Sequence, residues 1–160
     1  MVGAPKSPRK RDGRRSGVGA TVVAVNSTTT AVTPVNPSTW SQALGYDQGQ
    51  LRAAPRAVLT VAGQGSLDSL GRLVHEDDPA AQLALALANL EGVLAGAGMA
   101  PADLAQLRVY TTDMDAALAV WDTLVERLAE VGARPPATLV EVSRLPVPGM
   151  TVAIEAIAIH

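Results

Sequence analysis

Pro135-Pro-Ala-Thr-Leu-Val-Glu-Val-Ser-Arg-Leu145, a break at Pro146-Val-Pro-Gly149, then Thr151-Val-Ala-Ile-Glu-Ala-Ile-Ala-Ile-His160: the reading of this stretch decides the fold. Both runs alternate with period two. In the first, Leu139, Glu141 and Ser143 share one face, and Thr138, Val140, Val142 and Arg144 share the other. In the second, Val152, Ile154, Ala156 and Ala158 oppose Thr151, Ala153, Glu155, Ile157 and Ile159. β-Branched residues bounded by Pro and Gly predict a closing pair of strands rather than a helix. A sheet with so apolar a face needs a covering layer, and the segments upstream offer two helices.

Moving outward, Leu107-Arg-Val-Tyr-Thr-Thr112 reads as a strand. Asp113 and Asp115 are expected to cap the second helix, with apolar Leu118, Trp121, Val125 and Leu128 and a stop near Gly132. Pro101 to Ala105 reads as a turn of helix. The first helix opens at Asp78-Pro79, a cap followed by a proline suited to the first helical position. Its stripe is Leu83, Leu87, Leu90 and Leu94, widened by Ala86 and Val93, and Gly96 and Gly98 close it. Ala57-Val-Leu-Thr-Val-Ala62 is a strand ended by Gly63-Gln-Gly65. That Gly-x-Gly pair lacks the third glycine and the helix of a dinucleotide site, and a strand exit explains it better. The loop His75-Glu-Asp-Asp78 reads as solvated. The expected class is α+β, in the order β-β-α-β-α-β-β, with two helices on one face of a mixed sheet. The opposite face then lacks cover, which implies an obligate oligomer.

Composition narrows the chemistry. The chain of 160 residues has no cysteine and no phenylalanine. Thiol catalysis, disulfides and thiolate metal sites are excluded. His75 and His160 are too few for a histidine metal centre, so no metal and no cofactor are expected. No apolar run reaches the roughly 18 residues that span a membrane. No apolar core of a secretory signal stands at the N-terminus either, so a cytoplasmic protein is expected. Residues 1–15 carry Lys6, Arg9, Lys10, Arg11, Arg14 and Arg15 against Asp12 alone, whereas the rest of the chain carries seven Arg against fourteen acids. Residues 1–34 read as a disordered basic tail and 35–160 as the folded domain. The Thr21–Val25 run could add only a weak edge strand. Nucleic-acid binding through the tail is disfavoured, since no aromatic residue precedes Trp40 and the body is acidic.

Several segments in order resemble the Rid family of reactive-intermediate deaminases, also known as YjgF-like proteins or endoribonuclease L-PSP. They are Asn36-Pro-x-x-Trp40, Gly45-Tyr46, Ala62-Gly-Gln64, Ala80-Ala-Gln82 with Ala88-Asn-Leu90, Val109-Tyr-Thr-Thr-Asp113, Val140-Glu-Val-Ser-Arg-Leu145 and Ile154-Glu-Ala-Ile-Ala158. The resemblance implies a chorismate-mutase-like fold and a homotrimer whose sheets form a central barrel. It also implies clefts between subunits that hydrolyse 2-imino acids to 2-keto acids and ammonia. In such proteins an arginine before the Val-Glu-Val strand clamps the substrate carboxylate, and a glutamate on the last strand directs water.

At those two positions this chain carries Ala137 and Ala153. Leu139 stands where a cysteine is common, and Asp115 where an asparagine is common. Tyr46, Gly63 and Gln64 are retained. The resemblance therefore points to an arginine-lacking branch with a more apolar cleft for a small-molecule ligand. Its candidate lining is Tyr46, Gly63, Gln64, Asp115, Ala137, Leu139 and Ala153. Glu141 and Glu155, on strands expected to be neighbours, are candidates for an acid/base pair, though each is as easily a structural acceptor. Arg144 reads as a surface or inter-subunit ion-pair residue. Two functions follow: a hydrolase of an imine, enamine or related metabolite with 2-imino-acid deamination impaired, or a non-catalytic binding trimer.

Overall fold

The computed structural model describes residues 32–160, and the elements run β1 (Val32–Val35), β2 (Gly49–Arg52), β3 (Val58–Gly65), α1 (Pro79–Gly96), β4 (Leu104–Thr111), α2 (Met114–Ala119), α3 (Trp121–Glu130), β5 (Ala137–Glu141) and β6 (Val152–Ile159). The α+β class and mixed sheet hold, with three differences from the expected order. A hairpin of β1 and β2 precedes the main sheet. Its β1 begins at Val32, inside the segment read as tail, and the Thr21–Val25 run lies outside the described residues. The helix expected after Asp115 is two helices broken at Val120, whose φ of −112° and ψ of 13° leave the helical region. Pro101–Asp103 forms a 3-10 turn, after which β4 starts at Leu104.

The main sheet has the order β3-β6-β4-β5. Strand β6 is antiparallel to both β3 and β4, while β5 runs parallel to β4. The parallel pair follows from the α2–α3 crossover between them, because a helix returns the chain to its starting side of the sheet. Strands β5 and β6, read from the sequence as a pair, are therefore not neighbours; β4 lies between them. Strand β3 does not end before Gly63-Gln-Gly65 but runs through it, with a register shift between Val61 and Gln64 that marks a β-bulge.

One face of the sheet carries Val61, Leu107, Val109, Val152, Ile154, Ala156 and Ala158, all buried against α1 and α3. From α1 come Leu83, Ala86, Leu87, Leu90 and Leu94, and from α3 Trp121, Leu124 and Leu128. Each fully buried leucine contributes about 2 kcal/mol by leaving water. Two residues assigned to these stripes face outward instead: Val93 is 37% exposed and Leu118 53%. The break at Val120 turns Leu118 off the face that Trp121 buries. Asp78 caps α1, accepting from the Ala81 amide at 3.0 Å, and Pro79 fills the first position as expected.

Gln82 joins this layer to the C-terminal strand. Its side chain is fully buried; Nε2 donates to the carbonyls of Gly149 (3.0 Å) and His75 (3.2 Å), and Oε1 accepts from the Thr151 amide (2.8 Å) and hydroxyl (3.2 Å). One amide thus fixes both the turn before α1 and the turn before β6. His75 and Asp77 there adopt φ of 61° and 66°, and the loop is exposed.

The opposite sheet face bears Val58, Thr60, Gln106, Arg108, Tyr110, Val140, Glu155, Ile157 and Ile159. No described helix packs there, and Val58 is 60% exposed.

Candidate functional site

Tyr46 is positioned by a loop fastened at three points. Trp121 Nε1 donates to the Leu44 carbonyl at 3.2 Å. Gly45, at φ +78°, lies flat on α3, where a Cβ would come within 3.0 Å of the Val125 methyls. The buried Asp47 has its amide on the Arg134 carbonyl (3.3 Å), its Oδ1 3.7 Å from Arg134 Nε, and a 2.8 Å bond from Asn36 Nδ2. Gln50 Nε2 adds a 2.8 Å bond to the same Arg134 carbonyl. Arg134 leads directly into β5, so these bonds set Tyr46 beside that strand.

The result is a cavity of about 320 Å³ lined by Leu44, Tyr46, Leu118, Trp121, Ala137, Thr138 and Leu139. Three sequence candidates, Tyr46, Ala137 and Leu139, meet here. Beneath α2 the gap among Pro79, Leu83, Val109 and Trp121 holds only about 10 Å³, room for a water at most. Trp40, 60% exposed, packs its ring edge-on to Tyr46 with centroids 6.0 Å apart.

Strand β5 is the sheet edge, and its backbone contributes to the cavity. Leu107 N donates to the Pro136 carbonyl and Val142 N to the Thr111 carbonyl. In a parallel ladder alternate residues bond to one neighbour, so the N–H and C=O groups of Ala137 and Leu139 point to the open side. Donors and acceptors therefore stand along an otherwise apolar wall.

Gly63 and Gln64 on the opposite edge strand β3, with Ala153 beside them on β6, form a second group. Gln64 pairs with Ile154 and Gly65 with Ala153 at the β3 bulge. Nothing lies within 4 Å of a Cβ placed on Gly63, so that backbone is accessible to a ligand or another chain. Ala153 is nearly buried, on the sheet face away from the helices and in register with Tyr110. Strand β4 separates Ala153 from the β5 cavity, and β6 and β4 together separate Gly63 and Gln64 from it.

The two glutamates do not come together within one chain. Glu141 lies at the end of β5, where its Oε2 accepts from the Met114 amide at the start of α2 (3.0 Å). Glu155 is on the far sheet face, 2.8 Å from Arg108 Nη1. The hydrogen bond from Arg108, and then that from Tyr110, holds its carboxyl below the usual range, while the same network raises the Tyr110 phenol. An ionised, engaged carboxylate is a poor proton donor. The expected acid/base pair fails because β4 separates the strands and alternation puts the side chains on opposite faces.

Of the two expected caps, Asp113 caps α2, accepting from the Ala116 amide at 3.0 Å, while Asp115 is exposed on its first turn. Arg144 is exposed and makes no ion pair among the described residues. Among those residues no three of His, Cys, Asp or Glu gather as a metal site, and no helix is long and apolar enough to cross a membrane.

Comparison with known proteins decides the relationship. The family described as endoribonuclease L-PSP matches residues 40–160. The chain belongs to this family, the Rid or YjgF family. Among Rid structures, that of YyfB from Yersinia pestis is 32% identical, covers 81% of this chain and 98% of its own, and superposes with a TM-score of 0.72. Rv2704 from Mycobacterium tuberculosis, a YjgF-family member, is 30% identical over 81% of this chain and 100% of its own, with a TM-score of 0.54. TdcF from E. coli, solved with bound serine, is 26% identical over 72% of this chain and 87% of its own, with a TM-score of 0.60. No curated protein sequence gives a match. Membership of the Rid family supports a role in processing small molecules.

Sequence reading missed Leu44, Trp121 and Thr138 as cavity residues and placed Leu118 in the core. Thr138 lines the cavity from the strand between Ala137 and Leu139, although alternation turns its side chain to the far face. The other three carried no signal, because their roles depend on the α2–α3 break and the Leu44 to Trp121 bond.

Proposed function

We propose that this chain is the subunit of a cytoplasmic homotrimer that hydrolyses a small imine, enamine or related metabolite in clefts between subunits. Turnover of ordinary 2-imino acids is impaired, as in an arginine-lacking Rid branch. The observation that carries this reading is the division of the candidate residues between opposite sheet edges: Tyr46, Ala137 and Leu139 at β5, and Gly63, Gln64 and Ala153 at the β3 bulge. A head-to-tail contact, β5 of one copy against β3 of the next, unites the halves, and contacts of that kind close into rings. The ring also takes Val58, Ile157 and Ile159 out of water on the uncovered face. In the cleft, water adds to the imine carbon, the C=N electron pair moves to nitrogen, and the resulting carbinolamine expels ammonia. The Tyr46 hydroxyl and the free amides of β5 orient the substrate. Ala137 and Ala153 provide neither a guanidinium clamp nor a carboxylate, which is the reason for impairment. Serine bound to TdcF accords with a small amine-bearing metabolite as the ligand.

A non-catalytic binding trimer is the second reading. It is favoured by the engagement of both glutamates elsewhere, Glu141 at α2 and Glu155 with Arg108. Ammonia release from imines generated in situ separates the two, with wild type beside Ala137→Arg and the Ala137→Arg, Ala153→Glu double variant. The hydrolase reading expects turnover of an apolar imine by wild type and a gain on 2-imino acids in the variants. Silence from all three proteins on every imine leaves the binding reading.

A further inference from the structure

The charge balance of the β5 cavity identifies its ligand more narrowly, on the basis of the reading above. None of its lining residues, Leu44, Tyr46, Leu118, Trp121, Ala137, Thr138 and Leu139, carries a charge at neutral pH. Arg134, three residues before Ala137, does not line the cavity, and its Nε is 3.7 Å from the buried Asp47. The second half-site, Gly63, Gln64 and Ala153, is uncharged too. Arg108, in register with Glu155 on β6, is committed to that carboxylate at 2.8 Å. Among the described residues no cation lines this space, so a carboxylate entering it would exchange its water for hydrocarbon without a partner charge from the lining, which disfavours binding.

The polar groups present suit a different ligand. The Tyr46 hydroxyl has no hydrogen-bond partner among the described residues, while the Trp121 N–H is occupied by Leu44; the Thr138 side chain, in register with Arg108, is on the far sheet face. The Tyr46 hydroxyl and the free N–H and C=O groups of the β5 edge can hold one C=N or C=O group. Leu44, Leu118, Trp121 and Leu139 provide hydrocarbon surface around its substituent. The volume of about 320 Å³ lies at the small end of ligand sites.

We infer that the cavity takes an uncharged imine with a hydrocarbon substituent and no carboxylate beside the imine carbon. Hydrolysis then follows R₂C=NH plus H₂O to R₂C=O plus NH₃: the C–O bond forms, the C–N bond breaks, and both water protons end on nitrogen. The product is an aldehyde or ketone rather than a 2-keto acid. The reaction that supplies such a substrate is the oxidation of a primary amine, not of an amino acid.

The test compares matched probes with one skeleton, 4-methyl-2-pentanone and 4-methyl-2-oxopentanoate, by titration calorimetry and by fluorescence quenching of the wall residue Trp121. The ketone is expected to bind at least about tenfold more tightly to wild type. Ala137→Arg should reverse the order, and so should Leu118→Lys, whose exposed site on α2 tolerates a charge. Equal or tighter binding of the oxo acid by wild type overturns the inference, as does failure of both probes to bind at millimolar concentration. Ammonia release is then measured from the imines of 3-methylbutylamine and leucine, each formed by its oxidase. Faster turnover of the leucine imine also overturns the inference while leaving the hydrolase reading intact. Selective ketone binding with no turnover of either imine leaves the ligand class standing and removes the hydrolase reading.

Discussion

Replacing Gln82 by leucine tests how the turn before β6 is held. The side chain is fully buried and makes four bonds, to the Gly149 and His75 carbonyls and to the Thr151 amide and hydroxyl. Leucine fills similar space but satisfies none of them. The two carbonyls belong to exposed residues and can turn to water, so each lost bond costs about 1 kcal/mol. The Thr151 amide sits at the start of a buried strand, and stranding it costs about 2 kcal/mol. Added apolar burial returns about 1 kcal/mol. The net loss is about 3 kcal/mol, a large share of the stability of an ordinary domain. At a urea slope near 2 kcal/mol/M the midpoint falls by about 1.5 M, measured at fixed chain concentration so that association does not contribute. Gln82→Glu sharpens the test. The introduced carboxylate would face two carbonyls, so burial raises its pKa and the variant should gain stability as pH falls below that value. A midpoint shift below about 0.5 M for the leucine variant, or a glutamate variant no more stable at pH 4.5 than at pH 7.5 relative to wild type, would refute the reasoning.

Gly45→Ala should cost about 2 kcal/mol, from a φ of +78° and a Cβ 3.0 Å from the Val125 methyls, whereas Gly71→Ala, at φ +74° but in open space, should cost about 1 kcal/mol; thermal unfolding of the two variants compares them. The carboxyl of Glu155 is depressed by Arg108, so its contribution is present above the ordinary carboxylate range and lost as pH falls through the lowered pKa. The stability gap between wild type and Glu155→Gln should therefore close on acidification from pH 7 to 3, and a gap independent of pH would contradict the pairing. Asp78→Ala removes the bond to the Ala81 amide and should destabilise the fold by about 1 kcal/mol, with Asp78→Asn near wild type in urea unfolding.

Alternation in β5 and β6, the cap and proline of α1, and the leucine stripe through Leu94 were legible because each depends on near neighbours in the chain. The glycine at 63 was legible as a break in a strand but not as a bulge, since a bulge is defined by the partner it mispairs with, here Ile154 and Ala156. The α2–α3 break left no mark in the apolar spacing, which continued evenly from Leu118 through Trp121 to Val125. Tyr46, Ala137 and Leu139 were marked as cleft residues through family resemblance. Their meeting in one cavity depends on Asp47, Gln50 and Arg134, a polar network with no periodicity to reveal it.

By itself the sequence determined the class, the strand faces and the absence of charge at Ala137 and Ala153, because side-chain chemistry and period are local properties. Only the tertiary structure decided that β4 separates Glu141 from Glu155. Only it divided the candidate residues between the β5 and β3 edges. Strand order is set by which buried surfaces fit together across the whole chain, and no local pattern encodes that choice.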